Sequence, residues 1–509
     1  MLSKINSFGL SGISGFLVEI EADINNGLPA YETVGLPDTA VKESKERVRS
    51  AIKNCGFQFP PLKITVNLAP ADVKKEGAVF DLPIALGILA ASEQFSYKLL
   101  GDAVFLGELG LDGSVRHIDG ILPVLISARE RGCKKIILPE SNRAEASFIE
   151  GLEIIPVKSL AECVAYLKGE TEIAPVALRE FESVLTETKH VGDFKFVKGQ
   201  INAKRALEIA AAGGHNILMI GPPGGGKTML ARTLPSILPD MTFAEALETT
   251  KIHSVAGILG ADGIVSRRPF RIPHHTATLI SLTGGGAKAK PGEISLAHNG
   301  VLFLDEMPEY NRHTLETLRQ PLEDGNITVS RALRTVTYPA NFLLVASMNP
   351  CPCGHYGSKE NKCRCTPSEI RRYIGKMSGP LMDRIDLHIE VDNVKIEELS
   401  SGEFAEPSFA VKARVDGARQ IQLERLKDTG IYCNAKMDNA RVIENCRLDA
   451  DGAALLEAVF KKLGLSARAY NRILKVSRTI ADLDKSENIR PNHIAEAVQY
   501  RTLDRKYFI

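Results

Sequence analysis

The sequence predicts an α/β protein in three parts. A mixed α/β domain spans residues 1–168, an αβα core spans 194–392 and a helical domain spans 393–509, with residues 169–193 as a linker. Three observations carry this prediction. Strand-like and helix-like segments alternate through residues 1–165. The apolar run Asn216–Ile220 leads into a glycine-rich loop and then a helical pattern, which makes a strand–loop–helix unit. From about residue 393 apolar side chains recur at helical spacing.

The elements follow in order. Val41–Asn54 has helical apolar spacing with charges on its other face, and Lys63–Leu68 alternates like a strand. Leu82–Ala91 is an apolar helix pattern and Lys135–Pro139 a short buried strand. Residues 169–193 are acidic, weakly periodic and carry Pro175, as a linker would. The helical domain reads as Phe409–Leu426, Ala453–Leu463, Ala467–Leu483 and Pro491–Tyr500, with Pro491 suited to the first helical position after Arg490. No internal repeat or low-complexity tract interrupts the chain.

Bulk properties bound the possibilities. The chain has 509 residues, 44% hydrophobic and 25% charged, in the ordinary globular range. Lys and Arg number 63 against 62 Asp and Glu, so any nucleic-acid surface must be a local patch. No apolar stretch approaches the ~20 residues of a membrane span. The start, Met1–Ser7, lacks a signal-peptide core, so a cytoplasmic location is expected. Five of the nine cysteines, Cys55, Cys133, Cys163, Cys433 and Cys446, are scattered and read as buried thiols.

Residues 221–228 read Gly221-Pro222-Pro223-Gly224-Gly225-Gly226-Lys227-Thr228, a phosphate-binding loop in the required strand–helix setting. Its glycines free backbone N–H groups to converge on phosphate oxygens. Lys227 neutralises β/γ charge, and the Thr228 hydroxyl suits magnesium. ATP and Mg2+ are the expected ligands. The apolar strand Val301–Leu304 ends in Asp305 and Glu306. Beside the loop strand, Asp305 would hold magnesium and Glu306 would polarise the attacking water. The strand Phe342–Met348 ends at Asn349, which either orients that water or closes a turn before Pro350.

This set resembles the AAA+ ATPases. The resemblance implies an adenine-contacting segment at Val197-Lys198-Gly199-Gln200. It also implies a homo-oligomeric ring in which one subunit offers an arginine to its neighbour's γ-phosphate. Arg384, in Gly379–Asp386, matches that finger; pairing with Asp383 or Asp386 is the alternative. Arg468, opening a lid helix, matches the second sensor, and a plain surface arginine is the competing reading.

The long interval between Lys227 and Asp305 holds two inserts. One is Phe270–Thr276 and the other is Gly284–Gly292, with Lys288 and Lys290. The glycine-rich segment with its two lysines resembles the helix-2 insert that magnesium-chelatase motors share with replicative helicases. His274 and His275 are adjacent and would point to opposite sides of a strand, which favours a structural role over metal. Asn326–Tyr338 alternates as a hairpin with Arg331 near its tip and Arg334 following. A ring would multiply these arginines into a basic channel for DNA; a solvated hairpin tip is the alternative.

Cys351, Cys353, Cys363 and Cys365 form C-x-C-x₉-C-x-C. In a reducing compartment four close thiols suit structural zinc better than disulfides, with an iron–sulfur cluster or free thiols as alternatives. The polar stretch between them is too short for its own core, so a metal could staple it.

Residues 64–140 resemble the proteolytic domain of Lon-type proteases, which use a Ser–Lys dyad. Here the serine position falls at Val79 and the lysine position at Leu122, so that chemistry should be absent. With residues 292–300 and 477–483, the whole order resembles the ComM/YifB family of magnesium-chelatase-like AAA+ proteins. That resemblance implies a hexamer moving DNA, as a branch-migration helicase in natural transformation. A metal-chelatase motor and a protein remodeller are the other readings.

Overall fold

The computed structural model describes residues 1–185, 192–286, 289–331, 334–357, 362–394, 404–463, 467–503 and 507. The chain forms two units by contact. Met1–Glu187 with Phe243–Ser266 makes one, and Thr188–Thr242 with Arg267–Ile509 makes the other.

The first unit is built on a seven-stranded mixed sheet. Its order is Ala30–Val34, Lys63–Ala69, Ser14–Asn25, Leu2–Ser11, Val104–Phe105, Lys135–Pro139 and Glu153–Val157. Leu2–Ser11 and Ser14–Asn25 form a long antiparallel hairpin. Alternation sorts its side chains between two cores. Val18, Ile20 and Ala22 join one with the helix Asp81–Ala91, and Phe8 joins another with the helix Ile121–Glu130. All of Asp81–Ala91 is buried, which is why its sequence is apolar all round.

The expected linker packs onto this unit in part. Val176 and Arg179 donate backbone N–H groups to Ile154 and Ser147 at 2.8 and 2.9 Å, and Phe181 and Val184 are buried. The helix Phe243–Ala256, expected within the central core, packs on Ile121–Glu130. Ser254 gives its carbonyl to the Gly120 N–H at 3.1 Å and its hydroxyl to the buried Glu145 carboxylate.

The second unit holds a five-stranded parallel sheet. Its order is Phe270–Arg271, Val301–Leu304, Leu343–Met348, Ile217–Ile220 and Leu387–Glu390. The three central strands are buried throughout and correspondingly apolar. The C-terminal helices Ser408–Arg425 and Ala467–Leu483 pack on the helix Ile201–Gly213 and share its core through Val411, Val415, Ile473 and Ile480. Arg419 and Gln422 cap that helix's last carbonyls, at Ala211 and Ala212, from outside. No described helix is long and apolar enough to cross a membrane.

Candidate functional site

The phosphate loop starts where the buried strand Ile217–Ile220 ends. A Cβ on Gly221 would lie 2.1 Å from the carbonyl oxygen of Val391, so only glycine fits beneath that chain. Gly221→Ala is therefore expected to cost about 3 kcal/mol or more of stability, read as a fall in thermal melting temperature. Gly224 and Gly226 take φ of 81° and 85°, which curls the loop so that N–H groups can turn inward. Lys227 opens the next helix, and its Nζ donates to the carbonyls of Gly221 and Pro222, each at 2.8 Å, and to Asn349 Oδ1 at 3.2 Å. Burial lowers the pKa of this ammonium, while Asp305 and Glu306 pull it upward.

The strand order corrects one expectation. Val301–Leu304 does not lie beside the loop strand; Leu343–Met348 stands between them. The carboxylates still reach the loop because they lie past the strand's end, where the chain is free of the ladder. Thr228 Oγ1 donates to Asp305 Oδ2 at 2.9 Å. The other Asp305 oxygen accepts from the Ser347 hydroxyl, and Ser347 Oγ accepts from the Glu306 N–H at 3.1 Å. Ser347 thus ties the acidic strand end to the intervening strand. Sequence reasoning missed it, although a serine inside the apolar run Leu343–Met348 was a visible signal. Glu306 is exposed with φ of 51°, a left-handed conformation uncommon outside glycine and concentrated at functional sites.

The upstream segment divides. Val197 is buried in the core, whereas Gly199 and Gln200 take left-handed φ of 59° and 55° before the helix Ile201–Gly213. Gln200 Nε2 donates to the Gly225 carbonyl at 3.2 Å, so this segment touches the phosphate loop itself. Thr228 and Asp305 supply the oxygen donors that magnesium takes, already converging on one point, and the residues therefore fit Mg2+ with a polyphosphate.

Arg384 and Arg468 belong together elsewhere. Arg384 is 9% exposed; it donates to the Pro380 carbonyl at 2.7 Å and pairs with the carboxylate of Glu323. Glu323 was also missed, being distant in sequence. Burial first, then the charges of Arg468, Arg319 and Arg472, lower the Arg384 pKa. Arg468 is exposed on its helix. Asp386 is not the partner of Arg384. It accepts from His215 Nδ1 at 3.3 Å and from the Asn216 N–H at 3.3 Å, and it ion-pairs with Arg472 Nε at 3.5 Å.

The hairpin pairs Asn326–Arg331 with Arg334–Pro339, and Arg331 opposes Arg334 as the last pair. Both arginine side chains lie outside the described residues, as does Lys288. Lys290 is exposed, in a short strand pairing with Gly284–Gly285. His274 and His275 do not point to opposite sides. They lie beyond the strand Phe270–Arg271 at the start of a turn, and their rings approach to 4.2 Å.

The four cysteines converge. Cys351 Sγ lies 3.4 Å from Cys353 and 3.7 Å from Cys363, and Cys353 lies 3.7 Å from Cys363. Including Cys365, all four sulfurs fall within 4.8 Å of one another. Disulfide sulfurs would be about 2.05 Å apart. Zn–S bonds of about 2.3 Å in a tetrahedron place sulfurs about 3.8 Å apart, so this donor set fits such an ion. A backbone N–H at Arg364 leads in pulling the Cys353 thiol down to about 6, while the thiols of Cys363 and Cys365 are shifted upward, burial leading at Cys365.

In the first unit, Leu122 is buried and Val79 packs partly buried against the core. Ser127 Oγ accepts from the Gly15 N–H at 2.9 Å, and Ser114 Oγ donates to Asp112 at 2.7 Å. Among the described residues no lysine hydrogen-bonds either serine.

A parallel sheet carrying a phosphate loop, paired carboxylates and a polar strand end defines an AAA+ type nucleotide site. Three family comparisons agree with that class. Residues 193–399 match magnesium chelatase, subunit ChlI; residues 20–142 match subunit ChlI of Mg-chelatase; and residues 405–501 match the ChlI C-terminal family. The chain is 45% identical over 507 residues to competence protein ComM of Haemophilus influenzae, covering 99% of this chain and 98% of that protein. It is also 45% identical to YifB of Escherichia coli over 505 residues, with the same shares covered. A shorter match, 28% identical, covers 29% of this chain and 30% of Lon protease 2 of Bacillus subtilis. The chain belongs to the ComM/YifB family of magnesium-chelatase-like AAA+ proteins.

Proposed function

We propose that this chain hydrolyses ATP within a homo-oligomeric ring, of six subunits as AAA+ rings commonly are, and uses it to move DNA. The observation that carries the ATPase reading is the pair of hydrogen-bond sets, Lys227 with Asn349 and Thr228 with Asp305 and Ser347, that leave adjacent residues of the loop helix and reach three strand ends. Lys227 and the loop N–H groups hold the phosphates, and Thr228 with Asp305 holds magnesium. Glu306 orients the attacking water and Asn349 steadies Lys227 or that water. Magnesium, when bound, neutralises β/γ charge. Gly199 and Gln200 place the adenine end.

Arg384 and Arg468 act on the neighbouring subunit's nucleotide. Supporting this, among the described residues neither arginine hydrogen-bonds the phosphate loop, Asp305 or Glu306 of its own chain, and Arg384 pairs instead with Glu323. The guanidinium cluster around Arg384 would be relieved by an incoming anion. The four cysteines hold a structural zinc, whose closed thiolate shell leaves no open position for catalysis.

The DNA reading rests on the full-length similarity to competence protein ComM and on the arginine-bearing hairpin. It takes the form of branch migration during recombination. A magnesium-chelatase-type motor is the second reading, favoured by the names of the matched families. A four-way junction assay with ATP separates them. The expected result is resolution of the junction and DNA-stimulated turnover, both reduced about tenfold or more by the double variant Arg331→Ala, Arg334→Ala. ATP turnover indifferent to DNA, with the junction intact, would end the DNA reading.

A further inference from the structure

We propose that the metal-bound cysteine loop is a positioning element of the phosphate loop, so that the metal centre sets the affinity for ATP. The chain leaves the sheet at Asn349, which accepts from Lys227 Nζ at 3.2 Å, and enters the cysteine cluster two residues later. Cys351 closes a turn by accepting the Gly354 N–H at 2.9 Å. Gly354, at φ 81°, lies directly on the phosphate loop: a Cβ there would stand 2.4 Å from Cδ and 2.7 Å from Cγ of Pro223. On the far side the Tyr356 ring meets Tyr507 edge-on at 6.4 Å. Tyr507 donates to Glu390 at 2.8 Å, at the end of the strand beside Ile217–Ile220.

The loop therefore braces the nucleotide site at Lys227, at Pro223 and at the flanking strand. Most of the described residues around the cysteines are exposed or half-buried, so the braces are only as firm as the metal that closes the cluster. Losing the metal frees Asn349 and removes the backing of Pro223. Small displacements of a phosphate-binding group are felt as large losses in binding and rate.

This inference rests on the reading of the cysteines as a metal site, and the experiment separates the two. Full-length protein, Cys363→Ser and Gly354→Ala are compared by elemental metal analysis and by steady-state ATP hydrolysis, with KM and kcat resolved. The native protein is expected to carry one zinc per chain. Cys363→Ser is expected to lose it and to raise KM for ATP about tenfold. Gly354→Ala, whose added methyl pushes on Pro223 while leaving four thiols in place, is expected to keep the zinc and raise KM by a similar factor. Loss of zinc from Cys363→Ser with KM unchanged overturns the coupling and leaves the metal site standing. Native protein free of metal overturns both. Unchanged KM in Gly354→Ala shows that the contact with Pro223 transmits nothing, and overturns the positioning role.

Discussion

Lys227→Ala is expected to abolish ATP turnover, by about a thousandfold or more, while the protein remains folded. The lysine is the one cation seated in the phosphate loop, and its partners are carbonyl and amide oxygens that solvent or the loop can satisfy without it. Its removal therefore deletes charge stabilisation of the transferring phosphoryl group more than it disturbs packing. The check is steady-state phosphate release alongside a thermal melt. A melt within a few degrees of the native protein with turnover at background is the expected pair. Substantial turnover would show that the phosphates are held elsewhere.

Arg384→Ala is the second large effect, with an expected loss of about 10³-fold or more in turnover. A simple loss would not show where the arginine acts, because Arg384 also pairs with Glu323 in its own chain. Mixing decides it. Arg384→Ala retains its own Glu306, and Glu306→Gln retains its own Arg384, so each alone lacks one half of every site. In a ring of both, a site formed by Glu306 of one subunit and Arg384 of the next is whole. Equimolar mixing is expected to restore a measurable share of native turnover. Two inactive variants that stay inactive together, in a ring verified by sedimentation, would place Arg384 in service to its own chain.

Local chemistry was legible in the sequence and pairing was not. The loop at 221–228, the acidic strand end at 305–306 and the cysteine spacing each express their chemistry within a few residues, so no knowledge of the fold was needed to read them. Helices with strong periodicity were also readable, with Ala467–Leu483 matching at both ends. Strand order was not, because parallel neighbours are chosen by crossovers that leave no local trace. Hence the strand carrying Asp305 was set one place too near the loop strand. Glu323 escaped notice for a related reason: its partner lies on a different element, and a surface glutamate on a short helix carries no mark of it. The hairpin at residues 2–25 is not among the elements expected from the sequence, although Val18, Ile20, Ala22 and Ile24 alternate, because the glycines at 9, 12 and 15 interrupt the strand pattern.

The excursion of residues 243–266 has a practical meaning for anyone dissecting this molecule. The polypeptide passes between its two units at three places, near 187, 242 and 266. A single cut in the acidic stretch would leave the pieces threaded to each other by the other two passages. A truncation beginning at residue 188 would keep the helix Phe243–Ala256 but delete Ile121–Glu130, stranding an apolar surface in water and inviting aggregation. The unit with the phosphate loop is not a cassette that can be lifted out; the helix that leaves it soon after the phosphate-loop helix is already part of another fold.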